Sequence, residues 1–523
     1  MSSHRSRTVS RWLTAATLAA AATLALQACG AGGATGTTSA HTGQLTMIIS
    51  AQPASLDPGL MNVDPNNLAL DQLAYEPLIR KAPDGSFGPA LATRFGYVGT
   101  GNTAFSMTLR SGVRFADGTP LDAAAVAKSI DYEIKAGGPA VGWLGGCTKV
   151  TAVGALQVDV ACTTPNPVLP LLFSQNAPFG LVISSAGVTG PGSLKNATAG
   201  AGPYTLDATQ SVTGDHYVFV ANKNYWNPKA VHFDRVTLKV ITNPDSVLNA
   251  IRSGQADVAV GDPSTADAAK SAGLKVVAAP SYTVGVDLFD RAGVDARPLS
   301  DARVRQALNY AVDRTAITKA LFGAYGSPTT QLVTPAYDGY SAALNEQYPY
   351  DPAKARQLLA AAGYPNGFSL QLEAWEGFNV AKVTQAIAGY WAKIGVHTQL
   401  TQDAAPAAWV NNVLTKKFPA GGFGYGGLPV YMTAQNWFQP TAGPFNPFLS
   451  QNPTLTGLLR QAAAATPRQS AALGLRAMTF ALDQGWWVSA SLVDAAYYVH
   501  PGITGISVTA RNIYADMSTV AQP

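Results

Sequence analysis

The chain has 523 residues, well beyond the ~250–300 at which a single hydrophobic core stops growing, so two or more lobes are expected. Hydrophobic residues make up 47% and charged residues 13%, a balance that excludes a disordered chain. The net charge of +4 falls to +1 once Arg5, Arg7 and Arg11 are set aside, and no basic run occurs, which excludes nucleic acid as the partner.

Those three arginines form a positive N-terminal region ahead of Trp12 to Leu26, an uncharged run of apolar and small residues shorter than the ~20 residues of a membrane span. It ends in Leu26-Gln27-Ala28-Cys29, which resembles a bacterial lipobox. Residues 1–28 are therefore read as a lipoprotein signal peptide and Cys29 as the lipidated residue, holding the protein at the outer face of the cell membrane. Residues 29–43, rich in Gly, Ala, Thr and Ser, read as a flexible linker. No later stretch reaches ~18 uncharged apolar residues, so no further membrane span is predicted.

Leu45 to Ser50 is an apolar strand, and Phe105, Met107 and Leu109 alternate along another. Asp122 is placed to cap a helix over 123–134. Lys149 to Val153 and Leu156 to Ala161 read as a hairpin around Gly154-Ala155. Asp301 caps a helix whose Val304, Leu308, Ala311 and Val312 share one face. Asp351-Pro352 opens another, with Gly363 closing it and Pro365 following. Ser369 to Ala374, Val380 to Ile394 and Val396 to Thr401 form a strand–helix–strand unit, for which parallel strands are expected.

Several blocks then resemble, in order, the bacterial extracellular solute-binding proteins of the oligopeptide, dipeptide and nickel class. They are Leu56-Asp57-Pro58, Tyr75-Glu76-Pro77-Leu78, the run from Phe105 to Val126, Gly200-Ala201-Gly202-Pro203-Tyr204, Asn224-Tyr225-Trp226, Ser253 to Val258, and Val304-Arg305-Gln306-Ala307-Leu308-Asn309-Tyr310-Ala311-Val312-Asp313-Arg314. The resemblance covers about Gln44 to Gly505. It implies an α/β, two-lobed periplasmic-binding-protein-like clamp with an extra subdomain in the first lobe. The boundaries expected are 44–75, 200–285 and 490–523 for the lobe I core, 76–199 for the extra subdomain, and 286–489 for lobe II. It further implies a monomer that captures a peptide or small molecule for the permease and ATPase of an ABC importer, with no cofactor and no catalysis.

Enzyme readings are weak beside this. Gly422-Phe423-Gly424-Tyr425-Gly426-Gly427 matches a dinucleotide fingerprint by letter, but Leu428-Pro429 follows and no acid lies about 20 residues on; a flexible or close-packed loop is expected. No histidines or cysteines stand at metal-ligand spacing. A secreted hydrolase and a transporter-independent sensor lipoprotein are the alternatives.

Peptide-binding members carry an aspartate in a Trp-Gly-x-Asp-like loop that pairs with the ligand's ammonium group. Here Gly426 or Gly427 takes that place, and the 79 residues between Asp403 and Asp483 contain no Asp or Glu. A buried ammonium without a counter-charge is costly, so free-amine dipeptides are expected to bind weakly, with Asp57, Asp290 and Glu376 as other acids that could pair. The segment is instead rich in Trp409, Phe423, Tyr425, Tyr431, Asn436 and Trp437. With Trp375 these are the candidate ligand residues, and they suit a neutral, sugar-like or N-blocked ligand.

Only Cys147 and Cys162 remain once Cys29 is lipidated, and an exported chain meets an oxidising environment. With a two-residue turn at Gly154-Ala155 the two cysteines stand directly opposite each other, ~4.5–5.5 Å apart at Cα. A disulfide is expected.

Overall fold

The structure is a computed structural model and describes residues 43–188, 193–438 and 444–522; the expected signal peptide, the expected lipidation site Cys29 and nearly all of the expected linker lie outside them. The strands in chain order are β1 (Gln44–Ile49), β2 (Ile79–Lys81), β3 (Phe87–Pro89), β4 (Ala92–Tyr97), β5 (Ala104–Leu109), β6 (Lys149–Val153), β7 (Gln157–Ala161), β8 (Tyr204–Leu206), β9 (His216–Ala221), β10 (Arg235–Val240) and β11 (Val258–Gly261). There follow β12 (Lys275–Asp287), β13 (Gly326–Pro328), β14 (Phe368–Trp375), β15 (Val396–Asp403), β16 (Ala420–Gly426) and β17 (Trp487–Val499).

Local chemistry sets the helix ends, at Asp122, Asp301 and Asp351 as read from the sequence. Asp122, Asp301, Asp313 and Asp351 each accept a bond from a first-turn amide, meeting donors that a helix cannot pair internally. Gly363 takes φ +92° just past the end of the helix Pro352–Ala361, a left-handed conformation that costs a glycine little. The predicted strand–helix–strand unit is present: β14 and β15 run parallel, with Phe368 opposite Val396, and the helix Val380–Ala392 connects them.

One mixed sheet runs β15-β14-β16-β12-β17-β11-β1-β10-β9-β8, with β13 also paired to β17. Its two halves carry different cores. Around β1, β9, β10 and β11, Met47, Phe219, Leu238 and Val258 are packed with Leu70, Tyr75 and Tyr497. Around β12, β14 and β16, Val284, Leu372 and Ala420 are packed with Leu308, Ile387 and Trp391. A separate four-stranded antiparallel sheet, β4-β5-β7-β6, forms a third core with Phe105, Met107, Val126 and Phe173.

Among the described strands β12 and β17, 13 residues each, are the longest, and they join the two halves of the large sheet. The first part of β12 pairs with Ala495–Val499, while Tyr282–Asp287 lies between β17 and β16. The pairing slips between Pro280 and Tyr282 and again between Val284 and Gly285. Such irregularities bend a strand and increase its local twist.

The hairpin register differs from the sequence reading. Val153 pairs with Gln157 and Lys149 with Ala161, so the connection is the three residues Gly154-Ala155-Leu156, with Gly154 at φ +62°, not a two-residue turn. Leu156 lies in the turn between β6 and β7 while its carbonyl accepts from Leu109 N of β5 at 2.7 Å. The cysteines consequently lie past the end of the ladder, one residue out of register, instead of facing each other within it. They are nonetheless joined, with Cα atoms 3.9 Å apart. The turn Gly145-Gly146 carries Cys147 across, and Thr163 N bonds Gly146 O at 3.0 Å.

The glycine run at 421–427 is not a loop. Residues 420–426 form β16, inside the sheet. The glycines serve close packing: a Cβ on Gly422 would come within 2.2 Å of Thr384 Oγ1, and one on Gly421 within 2.8 Å of Phe289.

Candidate functional site

The extra β-sheet body meets the half of the molecule built on β12, β14 and β16. Trp143 Nε1 donates to Asn436 Oδ1 at 3.0 Å, Asn102 Nδ2 donates to Ala463 O at 2.9 Å, and Met432 is buried in the core that holds Phe105 and Phe173. The two bodies are thus closed on each other in this structure. Between them lies a cavity of about 840 Å³, within the range of small-molecule sites. One wall comes from β2, the Gly145-Gly146 turn and the 164–171 segment. The other comes from Tyr337, the helix Val430–Trp437 and the helix Pro453–Ala464.

Of the candidate ligand residues, Tyr431 lines this cavity. The helix Val430–Trp437 turns Tyr431 and Gln435 outward and Trp437 inward. Trp437 is fully buried against Phe423 and Tyr425, 5.0 and 5.5 Å between ring centroids, and stacks on Phe445 at 4.7 Å. Asn436 sits at the contact between the bodies, accepting from Trp143 and donating to Tyr425 Oη at 3.1 Å. Trp409 is buried with Phe289 and Val413, and Trp375 packs at the edge of that cluster. Apart from Tyr431, none of these aromatics borders the cavity.

Gly426 and Gly427 are different positions sterically. A Cβ on Gly427 would approach Thr334 Oγ1 to 2.8 Å and Ser281 O to 3.1 Å, and its amide donates to that same carbonyl at 2.6 Å. Gly426 has ordinary room: a Cβ there meets only Ile513 and Tyr514 Oη, both at 4.0 Å. The other acids that could replace a missing carboxylate are occupied or elsewhere. Asp290 accepts the amides of Val294, Asp295 and Ala296 at 2.7–2.8 Å. Asp57 accepts from Gly59 N and from the Tyr132 hydroxyl. Glu376 is exposed next to β14 and is not a cavity residue. Gly426 does not line the cavity either, so Gly426→Asp is expected to fold and to change the affinity for a free-amine dipeptide such as Ala-Ala by less than about tenfold by calorimetry; a larger gain would place the ligand's amine beside β16, outside this cavity.

The cavity also holds residues that sequence reasoning missed. Lys81 closes β2 and is only 4% exposed. Its backbone is fixed three ways: its amide donates to Gln175 Oε1, and its carbonyl accepts from Gln175 Nε2 and Asn512 Nδ2. Its Nζ donates to Tyr337 Oη at 3.2 Å. Burial, together with the nearby Arg511 charge, lowers its pKa to about 8. Nothing local marks Ile79-Arg80-Lys81 as special; the one clue is a lysine ending a strand bordered by apolar residues.

Several residues in the blocks that carry the resemblance make contacts within the fold. Glu76 accepts from Arg80 and from Tyr225 Oη, and Arg80 also reaches Asp516. Asp257 accepts Thr46 N at 2.8 Å. Arg314 donates to Ser489 O, Tyr348 O and Asn309. Among the described residues no group of three or more His, Cys, Asp or Glu could hold a metal ion, and no helix is long and apolar enough to cross a membrane.

Two lobes sharing a sheet through paired long strands, closed over a cavity, define a clamp-type binding protein. Residues 86–446 match the family described as bacterial extracellular solute-binding proteins, family 5 Middle, and the chain belongs to that family: it is a binder, not an enzyme. Similar proteins include the glutathione-binding protein GsiB of Salmonella typhimurium, 30% identical over 371 residues, 68% of this chain and 69% of that protein. GsiB of Escherichia coli K12 is 30% identical over 311 residues, 57% of each. Among solved structures, AgaA in complex with agropinic acid superposes with a TM-score of 0.81 at 22% identity, covering 92% of this chain and 99% of that one. DppA from Helicobacter pylori in complex with peptide STSA gives 0.80 at 19%, covering 92% and 98%.

Proposed function

We propose that this chain is the substrate-binding lipoprotein of an ABC importer, which takes a peptide-class or similar small solute between its lobes and presents it to the permease. The observation that carries the reading is the 840 Å³ cavity bounded by Val168 and Leu171 of one core on one side and by Val430 and Leu459 of another on the other. Affinity that depends on both walls couples binding to closure. In this reading residues 44–75, 200–285 and 490–523 form the first lobe, 76–199 its extra subdomain and 286–489 the second lobe, with β12 and β17 as the hinge. The chain acts as a monomer. GsiB is a glutathione-binding protein and the solved neighbours hold a peptide and agropinic acid, which supports a small polar organic ligand. Glycine at 426 favours one that is not anchored by a free ammonium group.

Native mass spectrometry of protein purified from its own host should show a co-purifying molecule of a size that fits this cavity. Small-angle scattering should show a smaller radius of gyration with that molecule than after its removal; an unchanged radius at saturation would exclude a clamp. Lipid at Cys29 holds the protein at the outer face of the membrane, because two or more acyl chains give stable attachment where one does not. Cys29→Ser is accordingly expected to move most of the protein from the membrane fraction to the medium, scored by immunoblot. Retention of the variant at the membrane with unchanged processing would rule the anchor out.

A further inference from the structure

We infer that the ligand carries a carboxylate, seated in the cavity between the Lys81 ammonium and the Arg511 guanidinium. The inference rests on the clamp reading and adds the chemical class of the ligand to it. Lys81 is nine-tenths buried yet borders the cavity, and its Nζ has one neutral partner, the Tyr337 hydroxyl. Among the described residues no carboxylate lies within ion-pair distance of Lys81 or of Arg511. A lysine is seldom buried without a counter-charge, because desolvating an ammonium costs several kcal/mol.

Arg511 borders the same cavity and is held beside β2 by its own loop. Asn512 Nδ2 donates to Lys81 O at 3.2 Å, the Thr509 hydroxyl donates to Pro83 O, and the Arg511 side chain lies against Gly85. The 509–512 loop is thus tied to the 81–85 turn so that two like charges are brought together, an arrangement unfavourable on its own. Arg460 adds a third cation on the opposite wall, and among the described residues Asp338 is the only acid lining the cavity. A carboxylate entering this site would offset the repulsion between the cations, accept from Lys81, and receive the paired N–H donors of Arg511, the strong charge-assisted geometry. The polarity is the reverse of an ammonium-anchoring site, in keeping with glycine at 426.

Calorimetry at pH 7 would compare N-acetyl-Ala-Ala with its C-terminal amide, and glucuronate with glucose, so that the two arms separate a peptide acid from a sugar acid. At least one acid is expected to bind tenfold or more tighter than its neutral counterpart. That preference should fall at least tenfold in Lys81→Met, and to a lesser degree in Arg511→Gln, whose exposed side chain makes misfolding a poor explanation. Lys81→Arg should retain most of it. If neither acid outbinds its neutral counterpart, or if Lys81→Met leaves the preference unchanged, the carboxylate site is wrong. A neutral co-purifying ligand that closes the lobes would also overturn it while leaving the clamp reading intact.

Discussion

Arg291→Met is expected to lower the stability of the second lobe by about 3–5 kcal/mol, the usual effect of stripping one partner from a buried ion pair. Arg291 and Asp287 are both buried, with Nη2 3.2 Å from Oδ1. The same guanidinium donates to Trp437 O at 3.1 Å and to Phe445 O at 3.2 Å, and lies 4.9 Å from the Trp486 ring centroid. Removing it leaves the Asp287 carboxylate uncompensated in an apolar setting and frees two carbonyls that hold the end of the cavity helix Val430–Trp437. Urea unfolding followed by tryptophan fluorescence measures the loss. The double variant Asp287→Asn/Arg291→Met should recover part of it, because no unpaired charge is then buried. A loss below about 1 kcal/mol in the single variant would show that the pair is hydrated.

Removing the disulfide, by Cys147→Ala with Cys162→Ala, is expected to destabilise the extra subdomain by about 3 kcal/mol, the chain-entropy value for closing a loop of this size; the sequence separation is 15 residues. Cys147 is fully buried in the core that also holds Phe105 and Trp143, so the loss includes packing. The bond also positions Gly145, Gly146 and Thr164, which line the cavity; ligand affinity should therefore drop with stability. Thermal unfolding of the variant, and of the native protein with reductant, should agree. Recovery of both cysteines as alkylatable thiols from exported protein would contradict the bridge.

Much of this molecule follows from short stretches of sequence. Aspartates at 122, 301, 313 and 351 cap helices because a carboxylate meets free amides within three residues, wherever the helix later packs. The parallel pairing of β14 with β15 follows from a helix-length crossover. The pairing of Cys147 with Cys162 follows from their proximity across a hairpin, though a single extra turn residue displaced the register. The family blocks were readable as sequence, but the contacts they make are not local: Glu76 meets Tyr225, Asp257 meets Thr46 and Arg314 meets Ser489 only in the folded chain.

The ligand site is of another kind. Phe423, Tyr425 and Trp437 are as apolar on paper as cavity residues would be, and hydrophobicity alone does not distinguish a wall facing a ligand from one facing another ring. Only the packing of β16 against the helix Val430–Trp437 sends Tyr431 to the cavity and Trp437 to the core. Lys81 and Arg511 come from nearly opposite ends of the chain, and each alone reads as an ordinary surface cation. Their electrostatic effect on each other decays over ångströms of space, not residues of sequence, so it exists only once β2 and the C-terminal loop are folded side by side.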